Sequence, residues 1–127
     1  MATTSTSIQC LLSIIFLTLV IKGSSIGCSL NNITIGTTRS GREINNTPEW
    51  NVVVTNNCNC IQSQLTLTCT GFKTLQPVDP SILSVTNGVC LLINGKPLPP
   101  FGSVKFSYVW YPPFVMWPKS STIGSCN

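Results

Sequence analysis

The chain contains no histidine and little charge: of its 127 residues, three are acidic and seven are lysine or arginine. Without histidine, neither a Ser/His/Asp nor a Cys/His nucleophile system can be assembled. The carboxylates are Glu43, Glu49 and Asp79, and Asp79 is better explained as a helix cap. A glycosidase pair would have to be Glu43 with Glu49, both in one polar loop. We therefore expect a protein that is not an enzyme, with no catalytic residue and no cofactor.

The absence of other motifs excludes further classes of protein function. The sequence has no glycine-rich phosphate loop and no cluster of aspartates, which disfavours nucleotide-sugar chemistry. It has no Cys-x-x-Cys motif and no histidine, which disfavours a zinc site. Lysine and arginine are not clustered, so the electrostatic footprint of a nucleic-acid-binding protein is missing. We expect no metal site and no nucleic-acid partner.

An apolar run near the N-terminus, Cys10–Ile21, is too short to span a bilayer, which takes about 20 residues. Small residues follow it at positions 23–25, a pattern typical of a secretory signal peptide. An uncleaved membrane anchor is the alternative. We expect residues 1–25 to be the signal peptide and residues 26–127 to form one domain, secreted to the extracellular space without a stable membrane anchor.

The cysteines predict a disulfide framework. If Cys10 leaves with the signal peptide, six remain: Cys28, Cys58, Cys60, Cys69, Cys90 and Cys126. An even count in a small secreted domain indicates three disulfides, and the sequence does not choose among the 15 possible pairings. In an extended strand Cys58 and Cys60 would lie about 6.5–7 Å apart, near the limit for a bridge, so we expect them not to pair with each other.

Alternating apolar and polar residues predict short strands. The clearest alternation is Ser103–Trp110, and the strand around which the cysteines gather is Cys58–Phe72. Four further strands are predicted at Asn32–Ile35, Trp50–Asn56, Val89–Ile93 and Phe114–Trp117. With no amphipathic helix, the pattern favours an all-β fold, a small disulfide-linked two-sheet β-sandwich with one short helical turn.

The connections follow from turn residues. Asp79 and Pro80 predict a helical turn over Val78–Leu83, and Asn87-Gly88 and Asn94-Gly95 predict tight turns. Thr37–Glu49 is polar and contains glycine, which predicts a long loop. The tail from Ser120 to Asn127 is expected to be held only by Cys126.

Two sequons, Asn32-Ile-Thr and Asn45-Asn-Thr, predict N-linked glycans on exposed backbone of a secreted protein. The aromatic residues allow two interpretations. Trp50 and Trp110 lie on the apolar faces of alternating strands, which favours the core. Tyr111 and Trp117 flank prolines, and a sugar-stacking surface there stays open.

Several phrases carry a family resemblance over Cys28–Asn127. They are Cys28-Ser-Leu-Asn-Asn-Ile, Arg39-Ser-Gly-Arg-Glu-Ile, Pro48-Glu-Trp-Asn-Val, Asn57-Cys-Asn-Cys60, Leu67-Thr-Cys-Thr-Gly-Phe72, Val78-Asp-Pro80, Cys90-Leu-Leu, Phe106-Ser-Tyr and the terminal Cys126. In order and spacing they resemble the plant tapetum determinant-like family of small secreted cysteine-rich proteins. The second and fourth phrases are more similar to the paralogues than to the founding member.

The resemblance implies an extracellular signalling ligand, because the founding member binds a leucine-rich repeat receptor kinase that specifies anther cell fate. We expect the partner, a cell-surface receptor ectodomain, to contact the Gly36–Glu49 loop through Arg39, Arg42 and Glu43. The alternative is that these arginines pair with Glu43 or Glu49 and only order the loop. A different class, a carbohydrate- or cell-wall-binding module with glycan contacts, is the second hypothesis.

Overall fold

The computed structural model describes residues 27–127, and the predicted signal peptide, residues 1–25, lies outside the described residues. The seven strands of the described part are β1 (Ile33–Ile44), β2 (Thr47–Asn56), β3 (Cys60–Thr68), β4 (Leu83–Thr86), β5 (Val89–Leu92), β6 (Ser103–Val109) and β7 (Trp117–Cys126). Two short 3-10 turns, Leu30–Asn32 and Ile93–Gly95, are the helical elements of this part. Residues 27–127 include no helix with the length and apolar character needed to cross a membrane.

The strands form two antiparallel sheets. One has the order β1-β2-β6 and the other has the order β4-β5-β3-β7. Side chains of both sheets meet in one apolar core, as the period of two along each strand requires. The core members are Ile33, Val52, Val54, Val104, Phe106 and Tyr108 from the first sheet, and Leu65, Leu67, Leu83, Cys90 and Leu92 from the second. The predicted all-β two-sheet fold is confirmed.

Three disulfides lie within the described chain, and two of them connect neighbouring parts of the β4-β5-β3-β7 sheet. They link Cys28 to Cys58, Cys60 to Cys126, and Cys69 to Cys90. The prediction that all six cysteines are paired, and that Cys58 and Cys60 do not pair with each other, is confirmed. Cys69–Cys90 lies within the core, because both residues are at most 1% exposed.

A buried amide pair connects the sheets to their loops. Asn56 and Gln62 are both fully buried, and the Gln62 Nε2 donates to Asn56 Oδ1 at 3.1 Å. The Asn56 Nδ2 in turn donates to the backbone carbonyls of Cys60 at 2.8 Å and Leu98 at 3.1 Å. Ser121 donates to Gln62 Oε1 at 2.7 Å, so the pair also holds β7. Buried amides are stable only when bonded in this way.

The predicted loop over Thr37–Glu49 is wrong: β1 and β2 form one long hairpin that extends through it. Asn45 and Asn46 make the turn, with φ angles of 51° and 62°. Positive φ at both central residues is the geometry of a type I′ turn, which asparagine tolerates. Polar residues mislead here because β1 lies at the edge of its sheet, where much of the strand is exposed on both faces.

The C-terminal prediction is also corrected. The tail from Ser120 is not held by Cys126 alone, because it belongs to β7, which pairs with β3. The predicted strand Phe114–Trp117 is absent apart from Trp117, the first residue of β7. Strand β4 was not predicted, since its four residues lie beside the expected helical turn.

The predicted turns are present in the structure. Asn87-Gly88 connects β4 to β5, and Asn94-Gly95 also has positive φ at both residues, as expected. The single turn expected over Val78–Leu83 is also present, with Ile82 N and Leu83 N donating to the Asp79 carbonyl. The Asp79 carboxylate caps this turn, and the backbone hydrogen bond from Ser81 lowers the pKa of Asp79.

Candidate binding surface

The three residues predicted to contact a partner lie together near the tip of the β1–β2 hairpin. Arg39 pairs with Trp50 across the hairpin, whereas Glu43 pairs with Pro48. Four steps along β1 therefore oppose two steps along β2, which gives a bulge. Gly41 has a φ of +93° in this bulge, a conformation that favours glycine. The bulge displays the two arginines on a bent section of strand.

Each arginine has a carboxylate neighbour. Arg39 Nη2 lies 3.6 Å from Glu43 Oε1, and Arg42 Nη1 lies 3.8 Å from Glu49 Oε2. The side chains of Arg39 and Arg42 are nevertheless 58% and 63% exposed. The Arg39–Glu43 pair is exposed on both sides and contributes about 0–1 kcal/mol, whereas the Glu49 side chain of the second pair is only 10% exposed. The pairs order the hairpin, as the alternative interpretation expects, and they leave most of each guanidinium accessible to a partner.

Trp50 anchors the inner side of this surface. Its Nε1 donates to the Trp110 carbonyl at 2.9 Å, and both tryptophans are partly buried against the core. The core prediction for these two residues is therefore confirmed. The Arg39 guanidinium carbon lies 5.7 Å from the Trp50 ring centroid, within the range of a cation–π contact.

An apolar groove continues from Trp50. It is lined by Ile35, Thr37 and Trp50 together with the segment Pro113–Met116. The groove has a volume of about 280 Å³ and is open to solvent. Since Ile35 and Thr37 belong to β1, the groove runs beside the edge of the first sheet.

The Pro113–Met116 segment is fixed by a cluster of three aromatic rings. The Phe72, Tyr108 and Phe114 centroids are 5.3–5.8 Å apart, and Phe114 N donates to Tyr108 Oη at 2.8 Å. Burial raises the pKa of Tyr108, and the hydrogen bond from Phe114 partly offsets this. Because Phe114 and Met116 point towards the core, Val115 between them is 73% exposed.

Two aromatic residues that the sequence left open are on the surface. Tyr111 is 69% exposed and Trp117 is 65% exposed. They flank the Pro113–Met116 segment in the chain, so large apolar side chains are exposed at both of its ends. Such exposed residues favour a binding role over a packing role.

The sequons lie at opposite ends of β1. Asn45 is exposed in the hairpin turn, where Thr47 Oγ1 donates to its carbonyl at 3.3 Å. Asn32 is partly exposed, and its Oδ1 accepts a hydrogen bond from Ser29 N at 2.8 Å. Neither asparagine lies within the groove.

The sulfur atoms of Cys28, Cys58 and Cys60 lie within 4.8 Å of one another, a spacing compatible with metal ligands. All three sulfurs are committed to disulfides, however, and a disulfide sulfur is not the thiolate that binds zinc. The two disulfides therefore hold Cys28 and Cys126 covalently to the Cys58–Cys60 segment.

The protein is therefore a small β-sandwich stabilised by three disulfides within its described residues. It has exposed arginines and an apolar groove at the edge of one sheet. Residues 29–125 match the family described as "Tapetum determinant 1, C-terminal". The match covers most of the 127 residues, and the chain belongs to this family, which confirms the resemblance seen in the sequence. No curated protein and no solved structure shows significant similarity to the chain.

Proposed function

We propose that the protein is a secreted signalling ligand that binds the ectodomain of a cell-surface receptor, of the leucine-rich repeat receptor kinase type. Membership of the tapetum determinant family supports this proposal most directly. The three disulfides support an extracellular location, because such bonds persist in oxidising compartments. In this proposal the protein acts by binding rather than by catalysis.

The contact surface that we propose is the tip of the β1–β2 hairpin, with Arg39, Arg42 and Glu43. Arginine offers five donors in a planar fork that suits carboxylates on a partner. The exposed Arg39–Glu43 pair is weak enough to be exchanged for pairs with the partner, and the Arg42 side chain is itself 63% exposed although its partner Glu49 is buried. The bulge begins after Arg39 in a strand at the sheet edge, so the partner can reach these residues without disturbing the core.

Replacing both arginines, Arg39→Ala with Arg42→Ala, is expected to weaken binding to a receptor ectodomain more than tenfold. Secretion should be unchanged and thermal stability should fall only slightly, because the Arg39–Glu43 pair is exposed and the loss of Arg42 leaves one largely buried carboxylate, Glu49, without its ion-pair partner. A panel of purified leucine-rich repeat ectodomains is screened against the secreted protein by biolayer interferometry, and the variant is tested on each ectodomain that binds.

The matched control is Lys73→Ala with Lys96→Ala. It removes the same charge from exposed positions that form no ion pair within residues 27–127. Full-strength binding by the arginine variant would move the contact surface elsewhere, and failure of every ectodomain to bind would contradict the receptor proposal.

A carbohydrate- or wall-binding module is the second candidate, and the exposure of Tyr111 and Trp117 favours it. Aromatic faces can stack on sugar rings, although the partly buried Trp50 and Trp110 do not add to such a platform. An array of wall polysaccharides separates the two candidates. Binding that is lost in Trp117→Ala but kept in the double arginine variant would support this module.

A further inference from the structure

We propose that the outer edge of β1, between Ile33 and Arg39, accepts an extended strand of the partner protein, and that the adjacent groove takes apolar side chains of that strand. The inference rests on the proposed function, because it names the kind of segment by which the partner binds. The expected segment has two apolar side chains spaced two residues apart and an acidic side chain two residues beyond them.

The backbone of β1 provides the first reason. Within residues 27–127, β1 pairs with β2 on one side and with no strand on the other. In an antiparallel pair, alternate residues of an edge strand direct their N–H and C=O groups away from the partner. The stretch Ile33–Thr38 contains no charge and no proline. At about 3.3 Å per residue it offers roughly 20 Å of regular edge.

The other edges are protected in ways that β1 is not. Strand β4 has only four residues, and β7 carries Pro118 and Lys119. One end of β6 is covered, because Val109 bonds through its carbonyl to Leu75 N and through its N–H to Thr74 Oγ1. Short length, proline, charge and covering loops are the usual means of blocking an edge. In β1 the bulge and the charges protect the half from Arg39 to Ile44, and the half from Ile33 to Thr38 has no such protection within the described chain.

The groove gives the added strand somewhere to place its side chains. Cross-strand neighbours share a face, so Ile35 and Thr37 lie on the same face as Val54 and Val52. Both β1 residues line the groove, and so does Val115, which is 73% exposed. A strand paired to β1 would direct alternate side chains towards this apolar space. This is the recognition mode of β-augmentation, in which backbone bonds give affinity and pockets give specificity.

Arg39 indicates which charge the added strand should carry. It lies two residues beyond Thr37, on the same face, and its side chain is 58% exposed. We therefore expect the added strand to carry apolar side chains opposite Ile35 and Thr37 and an acidic side chain opposite Arg39, each two residues apart. A second copy paired through β1 about Thr37 would instead place Ile35 opposite Arg39, with no carboxylate on that face. The charge thus favours a different protein over a second copy.

The test compares Thr37→Lys with Thr38→Lys. Both residues are exposed, so neither change should affect folding, but only Thr37 lines the groove. The probe is a display library of random ten-residue peptides, selected on the immobilised secreted protein. Selected peptides should carry the alternating apolar and acidic pattern. They should bind wild type and Thr38→Lys equally and bind Thr37→Lys at least tenfold more weakly. Selection of no such pattern, or equal binding to both variants, would overturn the proposal.

Two further readouts separate this proposal from its alternatives. Sedimentation velocity of wild type should show a monomer; a dimer that is lost in Thr37→Lys would identify a second copy as the occupant and overturn the proposal. A receptor ectodomain that binds Thr37→Lys as tightly as wild type would also overturn it while leaving the receptor function intact. Peptides that bind the edge while no ectodomain binds would uphold the edge site and reject the receptor function.

Discussion

Replacing Asn56 with alanine is expected to lower the free energy of unfolding by about 3–5 kcal/mol, because each buried polar group left without its partner costs about 1–3 kcal/mol. The lost amide donates to the carbonyls of Cys60 and Leu98 and accepts a hydrogen from Gln62, and the site is fully buried. The Leu98 carbonyl keeps a second bond, from Gln62 N, so the Cys60 carbonyl and the Gln62 amide carry most of the loss. At about 4–8 °C per kcal/mol for a domain near 100 residues, the melting temperature should fall by roughly 12 °C or more.

The natural control is the neighbouring residue. Asn57→Ala removes the same side chain from an exposed position, where the backbone N–H rather than the amide bonds to Asn32 O. Its melting temperature should match wild type. Asn56→Asp keeps the size but removes the donors, so it should be at least as damaging as Asn56→Ala at pH 7. Calorimetry showing that Asn56→Ala and Asn57→Ala melt together would refute the role assigned to the buried pair.

The second large effect is expected from removing the Cys69–Cys90 disulfide with Cys69→Ala and Cys90→Ala. The bond closes a loop with a sequence separation of 21 residues. For a loop of this length the chain-entropy estimate is about 3 kcal/mol. Packing adds to this loss, because the two residues are 1% and 0% exposed and their sulfur atoms leave a cavity in the core.

Guanidinium unfolding of both proteins without reductant measures this effect. Wild type with its three disulfides intact should unfold at a clearly higher denaturant concentration than the double variant. The double variant Cys28→Ala with Cys58→Ala is a useful comparison, because its loop is of similar length while Cys28 is partly exposed. Its loss should be nearer to the entropic value alone. A loss below about 1 kcal/mol for the core pair would contradict the account.

The fold class could be predicted because alternation in β2 and β6 is strong. Val52 and Val54, and likewise Val104, Phe106 and Tyr108, are buried as their period of two indicates. The Asn-Gly turns could be predicted because positive φ is a local property of those residues. These features depend on neighbours in the chain, which a single sequence displays.

The hairpin and the C-terminal strand could not be predicted because their residues lack a clear apolar alternation. Both β1 and β7 are edge strands, and most of the residues in each are exposed. An edge strand buries little on either face, so it lacks the apolar alternation that identifies a strand. For β7 the partner strand, β3, also lies far away in the sequence.

In the candidate site, too, the local features could be predicted from the sequence and the long-range contacts could not. The sequence identified Arg39, Arg42 and Glu43 as polar, exposed residues, and the structure brings them together at one hairpin tip. It did not reveal the groove, because Ile35 and the Pro113–Met116 segment are almost 80 residues apart and meet only in the folded sandwich. The buried Asn56–Gln62 pair escaped notice for a similar reason, since nothing in either residue type signals burial.

Hydrogen exchange tests the central claim, that the β1–β2 hairpin is the recognition surface, most directly. The secreted protein is compared free and bound to a receptor ectodomain. We expect added protection in β1, β2 and the Pro113–Met116 segment, with exchange in β4 and β5 unchanged. Protection confined to the β4-β5-β3-β7 sheet, with the hairpin exchanging as in the free protein, would contradict the account.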